Sequence, residues 1–340
     1  MKLFEPIKLG SLTLKNHLAL APMDTELSGL HGEVTRDIII YYTARAAGGV
    51  GLIITEFTAV DEIHRLTSPS MYSDRFIAGW STLVEKLHSF GTGVILQIAH
   101  HGGRALERIT GTKPVAPSAV ASPIYPEVPR ELTRDEIKDL IAKLVRAAER
   151  AKAAGFDGVE IHAGHGYLIG EFISPHTNRR TDEYGGSLEN RLRFPVEILK
   201  RIRESLGSDF VVGFKFSAYE AVEGGIDVQQ AVDIARYMEA QGVDYLHVSV
   251  LSFPLPERRF PSVPLNLYPC TSSGRAGGGG QEACDGAGDG GGGYRHSRRG
   301  GADFAGRIGG YRGVRSCAYR RPGASLAVEA GRDIPAVHKV

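Results

Sequence analysis

Residues 155–172 read Gly-Phe-Asp-Gly-Val-Glu-Ile-His-Ala-Gly-His-Gly-Tyr-Leu-Ile-Gly-Glu-Phe, and this segment indicates the architecture of the chain. The run Val159-Glu-Ile-His162 is typical of a buried strand, and its exit carries His162, His165 and Tyr167. A long polar loop follows, and a helix is predicted from about Ser187. Protic groups gathered where a parallel strand ends can hold a carbonyl oxygen and supply a proton.

Apolar runs alternate with amphipathic helical patterns over residues 1–250. Runs typical of buried strands lie at His17–Pro22, Val50–Ile54, Val94–Ile98, Gly158–His162, Phe210–Phe216 and Val243–Ser249. Helical periodicity lies at Thr35–Gly48, Asp74–Phe90, Thr133–Ala154, Ser187–Leu206 and Val228–Gln241. Six strand–helix units with nearly continuous apolar strands predict a parallel sheet. We expect an α/β protein with a (β/α)8 TIM barrel, of which six units are recognisable.

A doubly wound sheet is the alternative that the same alternation allows. Dinucleotide-binding sheets of that class carry a Gly-x-Gly-x-x-Gly turn after the first strand. No such turn follows His17–Pro22, so the barrel is preferred. Helix boundaries are also predicted: Thr133 with Glu136 forms a capping-box pattern, and Gly91, Gly155 and Gly242 stand where helices should end.

Composition limits the function classes. The chain has 340 residues, 42% of them hydrophobic, which is enough for one large domain with a sizeable core. A net charge of +1 predicts no nucleic-acid partner, and we expect no membrane span and no signal peptide. The three cysteines, Cys270, Cys284 and Cys317, give no disulfide framework, so the expected compartment is the cytoplasm. A homo-oligomer is compatible with the sequence.

The barrel places its candidate site at the carboxyl ends of the strands. The candidate residues at or just after the predicted strand ends are Met23, Asp24, Phe57, Gln97, His162, Lys215 and Ser249. These motifs closely resemble the signature of the old yellow enzyme family of FMN-dependent ene-reductases, and the resemblance covers about residues 1–255. It implies an FMN barrel, NADH or NADPH as reductant, and a small-molecule electrophilic alkene as substrate.

The resemblance also implies which residues bind the flavin. Ala21-Pro-Met23 is similar to the first-strand segment that lies along the flavin, and Asp24 with Thr25 occupies the position that tunes it. Gln97 resembles the glutamine at the pyrimidine edge, and Lys215 stands where many members carry arginine beside flavin N1. The full set of expected cofactor-binding residues is Pro22, Met23, Asp24, Thr25, Phe57, Gln97 and Lys215.

The same resemblance implies the catalytic residues. His162 and His165 should hydrogen-bond the oxygen of the substrate, and Tyr167 should donate a proton to its α-carbon. Two histidines three apart could instead bind metal, but no third ligand has a fixed spacing, so we expect no metal. A glycosidase using Glu56 and Glu160 is a further alternative, although strand position is their only acid–base context.

The chain changes character near residue 270. Residues 271–340 contain 19 of the 43 glycines, a single leucine, and 11 basic against 6 acidic residues. Such sequence buries too little apolar surface to offset its ordering entropy. We therefore expect an FMN-binding barrel domain over residues 1–269 and a disordered Gly/Arg-rich tail over 270–340, where barrel strands seven and eight should be.

A frameshift explains this tail. The residues from Gly274 onward can be back-translated into codons and read again one base later. The shifted reading permits an amino-acid sequence with a helix, a strand and a Gly-Gly phosphate loop, in the order found in the family. We infer a shift between about Phe260 and Gly274. Residues 334–340, shifted likewise, permit Arg-Pro-Cys-Ile-Arg. In larger members resembling 2,4-dienoyl-CoA reductase that segment precedes a 4Fe–4S centre and an FAD domain. The alternative to an active ene-reductase is thus a non-functional truncated product of such an iron–sulfur flavoenzyme.

Overall fold

The computed structural model describes residues 2–121, 125, 127–251, 266–269 and 314–315, with residue 251 and the last two segments described by their backbone alone. The strands are β1 (Ile7–Leu9), β2 (Leu12–Leu14), β3 (Ala19–Leu20), β4 (Leu52–Ile54), β5 (Thr58–Ala59), β6 (Gly93–Ala99), β7 (Val115–Ala116), β8 (Arg130–Glu131), β9 (Gly158–Ala163), β10 (Val211–Glu220), β11 (Tyr245–Leu251), β12 (Asn266–Pro269) and β13 (Val314–Arg315).

The helices account for the connections between these strands. They are α1 (Arg36–Ala47), α2 (Ile77–His88), α3 (Glu107–Thr110), α4 (Arg134–Ala153), α5 (Leu168–Ile173), α6 (Leu188–Leu206) and α7 (Val228–Ala240). Short 3-10 turns lie at Lys2–Phe4, Asp74–Phe76 and Gly102–Arg104. Within the described ranges, no helix is both long enough and apolar enough to cross a membrane.

Six strands lie side by side in chain order and run parallel, namely β3, β4, β6, β9, β10 and β11. A long helix joins each to the next, in the order α1, α2, α4, α6 and α7. The predicted α/β class and the six barrel units are confirmed. The sequence patterns did not indicate the short elements, which are the β1–β2 hairpin, the β7–β8 pair, α3 and α5.

The sheet ends differently from a closed barrel. Strand β12 pairs antiparallel with β11, and β13 pairs antiparallel with β12. A seventh barrel strand would run parallel to the sixth, so β12 has the wrong direction for that role. The described strand order ends at β3 on one side and at β13 on the other, which makes this an incomplete barrel, as predicted. Apart from Val314–Arg315, the predicted disordered tail lies outside the described residues.

Side chains alternate between two environments along each strand. On β6, Val94, Leu96 and Ile98 pack in the large core between the sheet and its helices. Ile95 belongs to a second, smaller core that also contains Leu9 and Leu14 of the β1–β2 hairpin. This period of two is the geometry of a strand, in which successive side chains point to opposite faces. The hairpin therefore covers one end of the sheet's inner face with apolar side chains.

The inner face becomes polar toward the carboxyl ends of the strands. The register places Gln97 opposite Glu160, and Lys215 between His162 and His247. These side chains are all buried, and those of Gln97, Lys215 and His247 follow the inner-core residues of their own strands, Ile95, Val211 and Tyr245, by two or four residues. The polar set therefore lies above the apolar set, on the face and at the end where barrel enzymes carry their sites.

Local signals set the helix boundaries. Thr133 caps α4 and completes the predicted capping box with Glu136, both halves of which are present. Gly155 and Gly242 adopt φ values of +91° and +92° directly after the C-caps of α4 and α7, a left-handed conformation that favours glycine. In the loop after α5, the guanidinium of Arg180 forms an ion pair with Asp182 at 2.6 Å.

Replacing Thr133 with Ala should lower the free energy of unfolding by about 1 kcal/mol, because the variant loses the side-chain acceptor for the Glu136 N–H. Urea unfolding followed by circular dichroism measures the change. Thr82→Ala is the matched control, since Thr82 is an exposed threonine inside α2 and alanine has the higher helix propensity. Equal losses in the two variants would contradict the capping role.

Candidate active site

The exit of β9 forms one wall of the candidate site. The rings of His162 and His165 have centroids 5.2 Å apart, and the centroid of Tyr167 lies 5.0 Å from that of His162. Tyr167 is also the N-cap residue of α5, so the strand, the turn and the helix together position the three side chains. The predicted catalytic residues are therefore brought together.

His162 is oriented by the turn that follows it. Its Nδ1 accepts a hydrogen bond from the Gly164 N–H at 3.2 Å. Burial, with the nearby charge of Lys215, lowers the pKa of His162 well below its usual value. The imidazole is therefore neutral near pH 7, and because Nδ1 accepts, its proton is on Nε2. His162 thus offers a single N–H donor.

His165 lies in a strained turn. Its φ of +58° is in the left-handed region, which costs a residue with a Cβ about 1 kcal/mol or more. Its backbone N–H donates to Ser217 Oγ at 3.0 Å, and its Nε2 lies 2.7 Å from Ser249 Oγ. Burial lowers the pKa of this imidazole well below normal, so it too is neutral near pH 7. Hydrogen bonds from β10 and β11 hold the turn in place.

Several aromatic side chains surround the ring of Tyr167. Phe57 lies 4.7 Å from Tyr167 and 4.2 Å from His101, measured between ring centroids. Burial raises the pKa of Tyr167, so its phenol keeps its proton at neutral pH. Burial lowers the pKa of His101 to about 3. The phenol is therefore a potential proton donor beside the uncharged rings of Phe57 and His101.

The segment after β3 is tied to the end of β4. Thr25 donates to Glu56 through both its backbone N–H, at 2.9 Å, and its hydroxyl, at 2.8 Å. Pro22 is half-buried, while Met23 and Asp24 are exposed. The four expected cofactor-binding residues of this segment are therefore anchored through Thr25, while the middle of the segment faces solvent. The carboxyl group of Glu56 also accepts a hydrogen bond from the Tyr42 hydroxyl, so its role is structural.

A second buried carboxylate organises the inner face. Glu160 accepts hydrogen bonds from Gln97 Nε2 at 2.7 Å and from the Tyr245 hydroxyl at 3.0 Å, and its Oε2 lies 2.8 Å from His247 Nδ1. Although burial opposes it, the charge and hydrogen bond of His247 and the charge of Lys215 lower the pKa of Glu160. Glu56 and Glu160 both serve hydrogen-bond networks, which leaves no support for the glycosidase alternative.

Lys215 is a buried cation on β10, only 3% exposed. Burial lowers its pKa to about 8, and the charge of Glu160 partly opposes this shift. In the part of the chain that the structure describes, its ammonium forms no ion pair within 4 Å. A buried charge is normally paired with a group of opposite charge. A bound anion could therefore be the partner of the Lys215 ammonium.

One cluster outside the site has the residue types of a metal centre. Asp61, His64 and His100 lie within reach of a common ion. However, His100 Nδ1 accepts the Gly102 N–H at 3.0 Å, which places its proton on the nitrogen facing Asp61. Lys143 also donates to Asp61 at 2.9 Å. Asp61 is therefore a shared hydrogen-bond acceptor, and this cluster is unrelated to the His162–His165 pair.

Arg104 is a residue of the site that the sequence patterns did not single out. Its guanidinium carbon lies 4.6 Å from the centroid of the Tyr167 ring, and it donates to the backbone carbonyl of His165. Glu171, buried on α5, accepts the Gly103 N–H beside it at 3.1 Å. The sequence Gly102-Gly103-Arg104 is by itself a weak signal of a site residue, because nothing in the sequence places Arg104 against Tyr167.

The site joins neutral histidines, a protonated tyrosine, a buried lysine and a buried glutamine at the carboxyl ends of parallel strands. Such a set of groups at the strand ends of a barrel can hold an oxygen-bearing ligand and supply a proton. Residues 2–262 match the family model of the NADH:flavin oxidoreductase / NADH oxidase family. The chain belongs to that family, whose cofactor is FMN, and the resemblance to old yellow enzymes is confirmed.

Individual relatives agree with this assignment. The chain is 47% identical to an NADH oxidase of Thermoanaerobacter brockii over 251 residues, which are 73% of this chain and 39% of that protein. It is 40% identical to an NADPH dehydrogenase of Listeria welshimeri over 73% of each chain. The solved structure of morphinone reductase superposes with a TM-score of 0.68 at 34% identity, covering 76% of this chain and 74% of that one. The chain thus spans about two fifths of the first relative's length.

The buried polar groups fit a flavin. Among the described residues, His101 Nδ1 and His247 Nε2 are buried without a hydrogen-bond partner, and Lys215 lies on the same inner face as His247. Buried polar atoms in native proteins are nearly always satisfied. An isoalloxazine ring has acceptors and an N–H along its polar edge, so it can supply such partners. The donor set suits FMN.

The stability of the protein should depend on pH through Lys215. Its folded pKa of about 8 is below the ordinary 10.5, so the penalty for burying its charge is full below pH 8 and disappears as the pH rises toward 10.5. Relative to Lys215→Met, the wild type should therefore gain up to about 3 kcal/mol across that interval. Urea unfolding at both ends measures it, with the exposed Lys200→Met as control. A difference independent of pH would contradict the buried, charged state.

Proposed function

We propose that this chain carries the catalytic half of an FMN-dependent NAD(P)H oxidoreductase that reduces activated C=C bonds of α,β-unsaturated carbonyls or enoyl and dienoyl compounds. The observation that supports this most directly is the convergence of His162, His165 and Tyr167 at the end of β9, opposite Lys215. Family membership supports the cofactor and the reductant. The small-molecule partner is then an electrophilic alkene.

The residues would divide the work as follows. Gln97 and Lys215 would hold the polar edge of FMN, with Pro22, Met23, Asp24, Thr25 and Phe57 along its flanks. Bound FMN supplies hydride to the β-carbon of the alkene. The N–H of His162, with His165, holds the substrate oxygen and withdraws electron density from the alkene. Tyr167 gives its phenolic proton to the α-carbon.

The charge of Lys215 has a specific use in this scheme. A cation beside the pyrimidine edge stabilises negative charge on the reduced ring system. Lysine keeps that charge but lacks the two-pronged geometry of arginine. Asp24 acts in the opposite direction, because a carboxylate near the ring disfavours the reduced anion. The two residues together would set the reduction potential of this chain apart from that of members with arginine and an uncharged residue.

A second candidate follows from the end of the sheet. Strand β12 runs antiparallel to β11, where a closed barrel has its seventh parallel strand. We propose that residues 270–340 are a frameshifted tail, and that this chain is a truncated product of a longer, 2,4-dienoyl-CoA reductase-like protein with a 4Fe–4S centre and FAD. The 39% coverage of the first relative is compatible with a longer protein. Cytoplasmic location and a homo-oligomeric state are further proposals.

Tyr167→Phe should slow alkene reduction by about 10²–10⁴-fold, because it removes one general acid without changing the ring. Reduction of the flavin by NAD(P)H should survive. Stopped-flow absorbance separates the two half-reactions on flavin-loaded protein whose reading frame has been restored near codon 270. Tyr125→Phe is the matched control, since Tyr125 also contacts Arg104 but has no assigned part in the reaction. Unchanged turnover of an enone by Tyr167→Phe would remove Tyr167 from this role.

The chain as written should retain FMN poorly, because an incomplete barrel lacks the segments after strands seven and eight where barrels build phosphate sites. A version with the frame restored near codon 270 should retain it. Both are purified with added FMN and desalted, and the bound flavin is measured by absorbance. Stoichiometric FMN in the chain as written would sink the truncation proposal and leave the enzyme proposal in place.

A further inference from the structure

The environment of the Tyr167 phenol contains one nearby cation, Arg104, among the described residues that act on it electrostatically. The guanidinium carbon of Arg104 lies over the Tyr167 ring, 4.6 Å from the centroid. At such a distance a guanidinium interacts favourably with the face of an aromatic ring. It interacts far more strongly with the anion that the ring becomes on losing its proton.

The position of Arg104 is held from several sides. The guanidinium donates to the backbone carbonyl of His165 and, at 3.2 Å, to the hydroxyl of Tyr125. The 3-10 turn Gly102–Arg104 that carries it begins with a φ of +61° at Gly102. The carboxyl group of Glu171, one helical turn beyond Tyr167, accepts the Gly103 N–H. The arginine and the tyrosine are therefore fixed against each other through α5.

The other groups around the ring differ in charge. Asp24 and Tyr125 act to raise the pKa of Tyr167, and burial raises it most. His101 and Phe57 pack against the ring without charge, since burial keeps His101 neutral. The charge of Arg104 is the opposing influence, because a cation favours the phenolate.

We propose that Arg104 is a positioning residue that makes Tyr167 a competent acid in a buried site. The inference rests on the proposed function. When the O–H bond of Tyr167 breaks, its proton forms a C–H bond at the α-carbon of the substrate. The negative charge passes from the substrate to the phenolate, which faces the guanidinium. Water then returns a proton to the phenolate. Without Arg104, that charge would arise near Asp24, and none of the other described groups that act on Tyr167 electrostatically is a cation.

The first test measures the acidity of residue 167 directly, without flavin. Difluorotyrosine, whose phenol is more acidic than that of tyrosine, is incorporated at position 167 of the full chain, and fluorine NMR follows its titration. Arg104→Met should raise the midpoint by about one pH unit, since it removes the cation. Arg104→Lys, which keeps the charge, should stay near the wild type. Arg108→Met, four residues further on and exposed, is the matched control.

A variant of opposite sign keeps the test decisive if Arg104→Met does not fold. Asp24→Asn removes the anion that acts on Tyr167, so it should lower the midpoint. A midpoint that follows the charge in both directions supports the inference. A midpoint that stays in place in Arg104→Met, or in Asp24→Asn where only that variant folds, overturns it.

The second test uses flavin-loaded protein and separates this inference from the proposed function. Arg104→Met should slow enone reduction by about tenfold and move the alkaline limb of its pH profile upward. Quinone reduction, which requires no proton at carbon, should be unaffected. If the fluorine midpoint moves but Tyr167→Phe leaves enone reduction unchanged, the coupling of Arg104 to Tyr167 stands and the proposed proton donor fails. If Tyr167→Phe slows the reaction and Arg104→Met does not, the inference is wrong.

Discussion

A buried carboxylate must be solvated by the protein, and Glu160 shows how this requirement organises the inner face of the sheet. Its oxygens are bonded by Gln97 from β6 and by Tyr245 and His247 from β11. Lys215 adds its charge from β10. One ion thus connects three strands and influences a fourth. A shift of any of these strands by one residue would turn its partner away from Glu160 and leave a charge without compensation.

The same register creates the candidate site. Because side chains alternate along a strand, the positions that continue upward from Glu160 and Gly213 on the inner face are His162 and Lys215. Gly213 has its own part in this arrangement, since a Cβ there would lie 2.0 Å from the Tyr245 ring, whose hydroxyl reaches Glu160. The polar network below and the candidate catalytic groups above are two layers of one face, so the packing of the lower layer sets the geometry of the upper one.

Sequence patterns predicted much of this. The strand and helix positions were confirmed to within a few residues, because buried parallel strands are continuous apolar runs and the helices have clear caps. Candidate site residues were found because barrels place them at strand ends. The patterns missed Arg104 and Glu171, whose parts depend on contacts between segments about 60–70 residues apart, as between Gly103 and Glu171. The short α5 was also missed, since six residues give too little periodicity.

The sequence by itself determined the class of fold, the order of its units, the family and the closeness of His162, His165 and Tyr167 at the exit of one strand. These properties follow from periodicity and from motifs that are continuous in the chain. The tertiary structure decided which nitrogen of His162 carries the proton, that Lys215 is buried without an ion pair among the described residues, and that Arg104 faces the Tyr167 ring. It also decided the antiparallel direction of β12. Protonation and electrostatics depend on burial and on neighbours from distant segments, and no local pattern records them.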